Sequence, residues 1–395
     1  MAADLTDLDA LAAQATGPLA GVVVADLSRV LAGPYCTMML ADLGALVIKV
    51  ESPRGDDTRT WVPPERDGEG TYFLSVNRNK HSIALDFSDE GDLALAHRIV
   101  RRADVLVENF KPGGLARFGL DYATLSAERA DLVYASITGF GTAEGVDLPG
   151  YDLVAQAVSG LMDLTGQPDG EPTKVGVALV DVITGLHCLT GILAALHRRS
   201  ATGLGDHLQV DLLSSALSGL VNQSAAAVMA GVTPSRMGNA HPSLYPYEPF
   251  PTADKDLIIA VGNDRQFVRL CELLEVPELA TDERFATMGA RNRHRDTLRP
   301  LLAARLAARG AMDWFDRFRA AGVPSAPILT VAEGVDFAAD LGLEPVAVAG
   351  NGERRIPTVR HPVRFDSSEV DYHQAPPRLD ADRDRVLRWL GAETH

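Results

Sequence analysis

The sequence predicts an α/β protein built on a parallel sheet, and three observations predict it. Apolar, β-branched runs of strand length at 21–27, 46–50, 105–108 and 132–136 alternate with stretches of helical periodicity. The first two runs enclose a helical stretch, 35–43, within about thirty residues, the size of one βαβ unit. Turn formers then cluster where the runs end, at 28–34, 109–114 and 139–141. Open α/β sheets bind ligands beyond the carboxyl ends of their strands, so these turns are where a site belongs.

Composition sets the bounds. At 395 residues, 46% hydrophobic and 23% charged, the chain can bury a large core and suits two domains. A net charge of -16 argues against nucleic-acid or anionic-membrane partners, so any anionic ligand needs locally placed cations. Cys36, Cys188 and Cys271 are far apart and form no CxxC pair, which predicts reduced thiols, a cytoplasmic protein and no metal site. The chain opens acidic, unlike a signal peptide. The apolar run 175–196 is interrupted by Asp181, Thr184 and His187 and falls short of a membrane span.

Taken in order, residues 1–18 read as a frayed or weakly helical extension. A large domain follows over 19–230, with a strand at 82–86, helices at 90–102, 122–128 and 151–162, a strand at 207–212 and one long apolar helix over 213–230. The turn after the first strand lacks GxGxxG, so no ordinary dinucleotide fingerprint is present. Residues 231–245 have little periodicity and read as a linker that lines a site. A smaller α/β domain is expected over 246–331, with helix 291–309 broken at Pro300. Residues 332–395 return to the large domain and end in a helix.

The chemistry is placed in 173–199. There 175–180 (VGVALV) reads as a strand, Asp181 follows at once, and Val182, Leu186, Leu189, Ile192, Leu193 and Leu196 recur at helical spacing. An Asp in that position is either the helix N-cap or a partly desolvated nucleophile, and spacing leaves both open.

These pieces together resemble the family III CoA-transferases. The resemblance spans about 19–390. It rests on the ordered series Leu31-Ala32-Gly33-Pro34, 46–51, 77–85, 107–113, Gly139-Phe140-Gly141, Gly150-Tyr151-Asp152 and Asp181. It implies a Rossmann-like large domain formed by both chain ends, a smaller inserted α/β domain and an interlocked homodimer. It implies CoA transfer from an acyl-CoA donor, succinyl-CoA being one possibility, to a carboxylic acid. Asp181 would carry mixed-anhydride and aspartyl-CoA thioester intermediates, kept ionised by the helix dipole. CoA contacts carry over to Val30, Leu31 and Ala32, to Leu85, Asp86, Phe87 and Ser88, to Asn109, Phe110, Lys111 and Arg117, and to Gly150, Tyr151 and Asp152. Ser52 stands where some members have a CoA-binding Arg, with Arg54 nearby. Arg236, Asn239 and His241 could hold a second carboxylate. The alternatives are a racemase-type isomerase, whose members carry a His where this chain has Tyr151, and an acyl-CoA-binding or hydrolysing relative.

Overall fold

The computed structural model describes residues 8–391. Residues 1–7 of the expected extension lie outside the described residues. Six strands form one parallel sheet: β1 (Val23–Asp26), β2 (Leu46–Glu51), β3 (Lys80–Ala84), β4 (Val105–Glu108), β5 (Val133–Thr138) and β6 (Asp206–Asp211). All neighbouring pairs are parallel, in the order β3-β2-β1-β4-β5-β6. The strands β2 and β4 are buried along their whole length. That explains why they appear in the sequence as continuous apolar runs rather than alternating ones. The order reverses between β1 and β4, so the loops leaving these two strands diverge and open a crevice.

Helices cover both faces. On one, α1 (Ala32–Asp42) and α4 (Leu179–Thr202) bury Cys36, Met39, Cys188 and Ile192 against Val24, Val47 and Val107. On the other, α2 (Glu90–Arg102) buries Ala96, Ile99 and Val100 beside Leu125, Val386, Trp389 and Leu8. Asp89 caps α2 by accepting from the Asp92 N–H, and Arg101 and Arg102 close its last turn. Leu8, at the start of helix Leu8–Gln14, is fully buried, so the extension from that point is docked rather than frayed.

The contact of α1 with α4 depends on Gly185. A Cβ there would lie 2.6 Å from the Ala32 carbonyl oxygen, and backbone cannot step aside as a side chain can. Gly185→Ala is therefore expected to cost about 1–3 kcal/mol by forcing the two helices apart. A melting temperature equal to that of the wild type would contradict the packing.

The edge strand β3 is covered by the C-terminal segment. Asp382 accepts the Ser82 N–H at 3.0 Å, Asp380 accepts the Ala84 N–H at 2.8 Å, and Gln374 donates to the Lys80 carbonyl at 2.8 Å. Pairing an otherwise open edge in this way removes a template for aggregation.

The described chain divides into two compact units. The first takes everything up to Leu161, Lys174–Val232, and the chain from Glu344 on; the second is Met162–Thr173 with Thr233–Leu343. The second unit has an antiparallel sheet of β7 (Tyr247–Phe250), β8 (Leu257–Ala260) and β9 (Ser325–Pro327), with β8 central. Its core gathers Phe250, Phe267, Phe285, Trp314 and Phe318.

Several expected elements differ. Residues 175–178 are not a strand; the Val175 N–H and Val177 carbonyl are taken by the Gln156 side chain, and no sheet neighbour is offered. The helix over 213–230 is two helices, Leu212–Gly219 and Asn222–Ala230, bent by 89° at a break where Val221 has φ +43°. The helix over 151–162 stops at Val158, with Gly160 at φ +88°, and resumes at Leu161–Leu164. Pro300 lies inside helix Arg295–Leu306; the break falls earlier, at His294. The helix α4 is long and apolar enough to cross a membrane by length and composition, contrary to the sequence expectation. One face of it packs on α1 and β5.

Candidate active site

The loops leaving β1, β4 and β5 enclose a cavity of about 310 Å³ at the point where strand order reverses. After β1, Arg29 and Val30 turn sharply, Val30 at φ +70°, a strained conformation for a β-branched residue. Three contacts hold it there. The Val30 N–H reaches the Asp56 carboxylate at 3.2 Å, the Arg29 N–H donates to Asn109 Oδ1 at 3.0 Å, and Asn109 Nδ2 donates to the Arg29 carbonyl at 2.7 Å. After β5, Gly139 passes Gly150 so closely that a Cβ on Gly139 would sit 2.4 Å from the Gly150 Cα. Only glycine fits at that crossing.

Beneath the first turn lies a buried ionic network. Asp26 accepts from Lys80 Nζ at 3.0 Å, Thr37 Oγ1 at 2.7 Å and Ser28 Oγ at 2.5 Å. Lys49 Nζ donates to the Ser28 carbonyl at 2.9 Å and to Asp56 at 3.1 Å. Burial alone would raise the Asp26 carboxyl, but Lys80, Lys49 and the two hydroxyls hold it down at about 2. Burial outweighs Asp26 at Lys80, whose ammonium is brought down to about 8. The network fixes Ser28 and Asp56, and through them the cavity turn.

Asp181 lines this cavity from the first turn of α4. It is not the cap. Ala178 occupies that position without a side-chain hydrogen bond, and Asp152, at the start of α3 (Asp152–Val158), accepts the N–H groups of Val180 and Asp181 instead. Nor does the helix dipole govern its ionisation. Burial, followed by the Asp152 carboxylate, pushes Asp181 up to about 7. The same surroundings push the Tyr72 phenol up to about 12, burial first and then Asp181, Asp152 and Asp56.

Of the residues singled out in the sequence, Val30, Leu31, Ala32, Asn109, Phe110, Lys111, Gly150, Tyr151 and Asp181 line the one cavity. Asp152, Leu85, Asp86, Phe87, Ser88 and Arg117 do not. Leu85 is buried, and Asp86 is occupied with the Ser88 N–H and hydroxyl, which hold its carboxyl down. Phe87 connects that group to the cavity, its ring stacked 6.5 Å from Phe110 and edge-on to Phe118, over which the Arg117 guanidinium sits at 4.5 Å. Lys111 pairs with Asp147 at 2.7 Å. Neither Ser52 nor Arg54 lines the cavity; the Arg54 N–H bonds the Ser52 hydroxyl.

The remaining three lie in the second unit. Arg236 donates to the Asp163 carboxylate and carbonyl at 2.8 and 2.9 Å, and its Nε is buried with no hydrogen-bond partner among the described residues. His241 Nδ1 accepts the Ser243 and Leu244 N–H groups, which places its ring proton on Nε2. Asn239 is exposed. Sequence reasoning missed Arg29, Asp57 and Trp61, which line the cavity, and Tyr72 beside Asp181. The available signal was two aromatic residues flanking a Pro- and Gly-rich polar loop. Among the described residues no group of three His, Cys, Asp or Glu side chains could hold a metal ion.

Fold and cavity define an α/β enzyme with a partly desolvated carboxylic acid facing a turn-lined cavity. Comparison with known proteins makes the class specific. Residues 19–383 match the family described as CoA-transferase family III. Succinate–glutarate CoA-transferase of Agrobacterium fabrum is 43% identical over 94% of this chain and 96% of its own length. Acetyl-CoA:oxalate CoA-transferase of Acetobacter aceti is 40% identical over 93% and 94%. The crystal structure of a CAIB/BAIF family protein from Brucella suis superposes with a TM-score of 0.85 at 43% identity, covering 95% of this chain and 100% of that one. The chain belongs to CoA-transferase family III, and it is an enzyme of that class, acting on CoA thioesters.

Proposed function

We propose that the protein moves CoA from an acyl-CoA donor, succinyl-CoA, to a dicarboxylic acid such as glutarate, with Asp181 as the covalent carrier. The observation that carries this reading is the Asp181 carboxyl itself, half-buried and lining the cavity that the β1, β4 and β5 loops enclose. Succinate, glutarate and oxalate in the names of the two relatives support a dicarboxylic acid.

The steps follow from the carboxylate's chemistry. An Asp181 oxygen attacks the donor thioester carbonyl, the C–S bond breaks, and CoA leaves as a thiolate from the mixed anhydride. The thiolate attacks the Asp181 acyl carbon, releasing the donor acid as carboxylate and leaving an aspartyl-CoA thioester. The acceptor carboxylate attacks that thioester, expelling the thiolate. The thiolate then takes the acceptor acyl group and returns Asp181 to its starting form. No proton is consumed over the cycle. Water must be kept out, since an anhydride hydrolyses, and the half-buried position of Asp181 favours that.

The turn residues Val30, Leu31 and Ala32 would meet the pantetheine arm, with Gly150 and Tyr151 opposite. Phe87, Phe110 and Phe118 offer the apolar surface for an adenine, bordered by Leu85, Asp86 and Ser88. Asn109, Lys111 and Arg117 would meet the phosphates, which would displace Asp147 from Lys111.

Only the ionised Asp181 attacks, and its carboxyl is raised to about 7. The rate of adduct formation is therefore expected to fall about tenfold per pH unit as pH drops below 7, and to level off above it. A profile flat down to pH 5, measured with succinyl-CoA and glutarate by chromatography of the CoA esters, would contradict this reading.

A second copy of the chain completes the proposal. Large apolar side chains are exposed along residues 153–229, among them Leu153, Val177, Leu193, Val221, Val228 and Met229, the last at 85%. Exposure on this scale supports a surface covered by a second copy. Sedimentation equilibrium is expected to give a dimer, and a monomer at micromolar concentration would count against it.

A further inference from the structure

The helix carrying Asp181 is capped from outside. Its own cap position, Ala178, has no polar side chain to offer the free N–H groups of the first turn. Asp152, 29 residues earlier than Asp181, fills the place. Its Oδ1 accepts the Val180 N–H at 2.8 Å and the Asp181 N–H at 3.1 Å, and its Oδ2 accepts Gln156 Nε2 at 2.5 Å. Gln156 is 1% exposed and reaches the chain entering the helix, accepting the Val175 N–H at 2.9 Å and donating to the Val177 carbonyl at 3.4 Å. Two side chains of α3 thus hold the backbone on both sides of the helix start.

We propose that Asp152 and Gln156 form a positioning clamp for the transfer reaction, fixing the Asp181 backbone and setting a negative charge beside its carboxylate. The inference rests on Asp181 being the covalent carrier. An ordinary cap would be served by Ser, Thr or Asn as well as by Asp, so the charge needs its own explanation. The titratable groups facing Asp181 are Asp152 from α3 and Tyr72 from helix Thr71–Ser75. The cavity cations Arg29 and Lys111 are each paired, with Asp57 and Asp147. A like charge in this position makes Asp181 a more basic, and so stronger, nucleophile while leaving a useful fraction ionised near neutrality. Asp152 does not touch substrate in this account; it acts through Asp181.

The test is the pH dependence of Asp181 labelling by succinyl-CoA, read by peptide mass spectrometry on the full chain, with melting temperatures alongside. Asp152→Asn keeps Oδ1 as acceptor for both N–H groups, removes the charge and gives up the Gln156 contact at Oδ2, a loss that Gln156→Leu measures by itself. Its labelling midpoint is expected to move down by about one pH unit and its plateau rate to fall several-fold, with KM for the acyl-CoA within about twofold of the wild type. Asp152→Ala removes the clamp as well, and its plateau is expected to fall more than about tenfold. Gln156→Leu frees the Val175–Val177 backbone while keeping the charge, so its plateau should fall with an unmoved midpoint. A labelling midpoint for Asp152→Asn equal to the wild type, with only a lowered melting temperature, reduces Asp152 to a structural cap and overturns the proposal. Absence of Asp181 labelling in the wild type would instead sink the carrier reading. If Asp152→Ala does not fold, Asp152→Asn and Gln156→Leu still decide the matter.

Discussion

Asp181→Asn is expected to yield a folded, CoA-binding protein whose transfer activity has fallen by at least about 10³-fold, since removing a covalent nucleophile eliminates the pathway rather than slowing one step. The structure adds a less usual expectation, that the variant is more stable than the wild type above neutral pH. The sign follows from the raised carboxyl. A carboxyl whose folded value is about 7, against an ordinary 3.8, is favoured in the folded state in its protonated form. The stability this supplies is complete below the unfolded value and is lost as pH rises through 7. Asparagine avoids that loss. The two melting temperatures should come closest below pH 4 and separate progressively in favour of Asp181→Asn as pH rises to 7 and above. A variant that is less stable at pH 8 would mean that the carboxylate is well solvated, and the desolvated-nucleophile account would fail.

The second large effect concerns stability. Asp26→Asn leaves the Lys80 and Lys49 ammoniums buried with their main counter-charge gone, while the side-chain shape is almost unchanged. Breaking a buried ion pair from one side costs about 3–5 kcal/mol. In a chain of this size that corresponds to a fall in melting temperature on the order of 4–6 °C. Because the Asp26 carboxyl is held at about 2, its contribution is present above the unfolded value and is lost only as pH falls through 2. The Asp26 carboxyl itself therefore adds no pH dependence from pH 5 to 7, and a deficit that grows toward pH 5 reports the Lys80 ammonium, lowered further by loss of Asp26. Scanning calorimetry at three pH values decides it. A loss under 1 kcal/mol would mean that the network reorganises, and that Ser28 and Asp56 are held by other means.

The parallel sheet was legible because its strands are buried on both faces and therefore carry apolar runs without alternation, as at 46–48 and 105–107. The place of the cavity was legible for a topological reason, since the turns 28–34 and 109–114 leave the two strands at which the order reverses. The run 175–180 misled because apolar β-branched residues signal burial before they signal a strand. What decides is whether a neighbour offers a ladder, and here Gln156 takes the backbone groups instead. The same kind of long-range contact hid the role of Asp152, whose partners lie 28 and 29 residues away. No spacing rule shows a cap supplied by another helix. Helix Val331–Asp340 was missed for the opposite reason. Its Thr330–Glu333 capping box was present in the sequence, but the helix buries no side chain, so no apolar period drew attention to it.

The most direct test of the central claim is to incubate the wild-type enzyme with succinyl-CoA, trap with hydroxylamine or borohydride, and map the modified peptide by mass spectrometry. The account predicts a modification confined to Asp181 and absent from Asp181→Asn. Turnover with glutarate but no trapped adduct at Asp181, or an adduct on another residue, would contradict it.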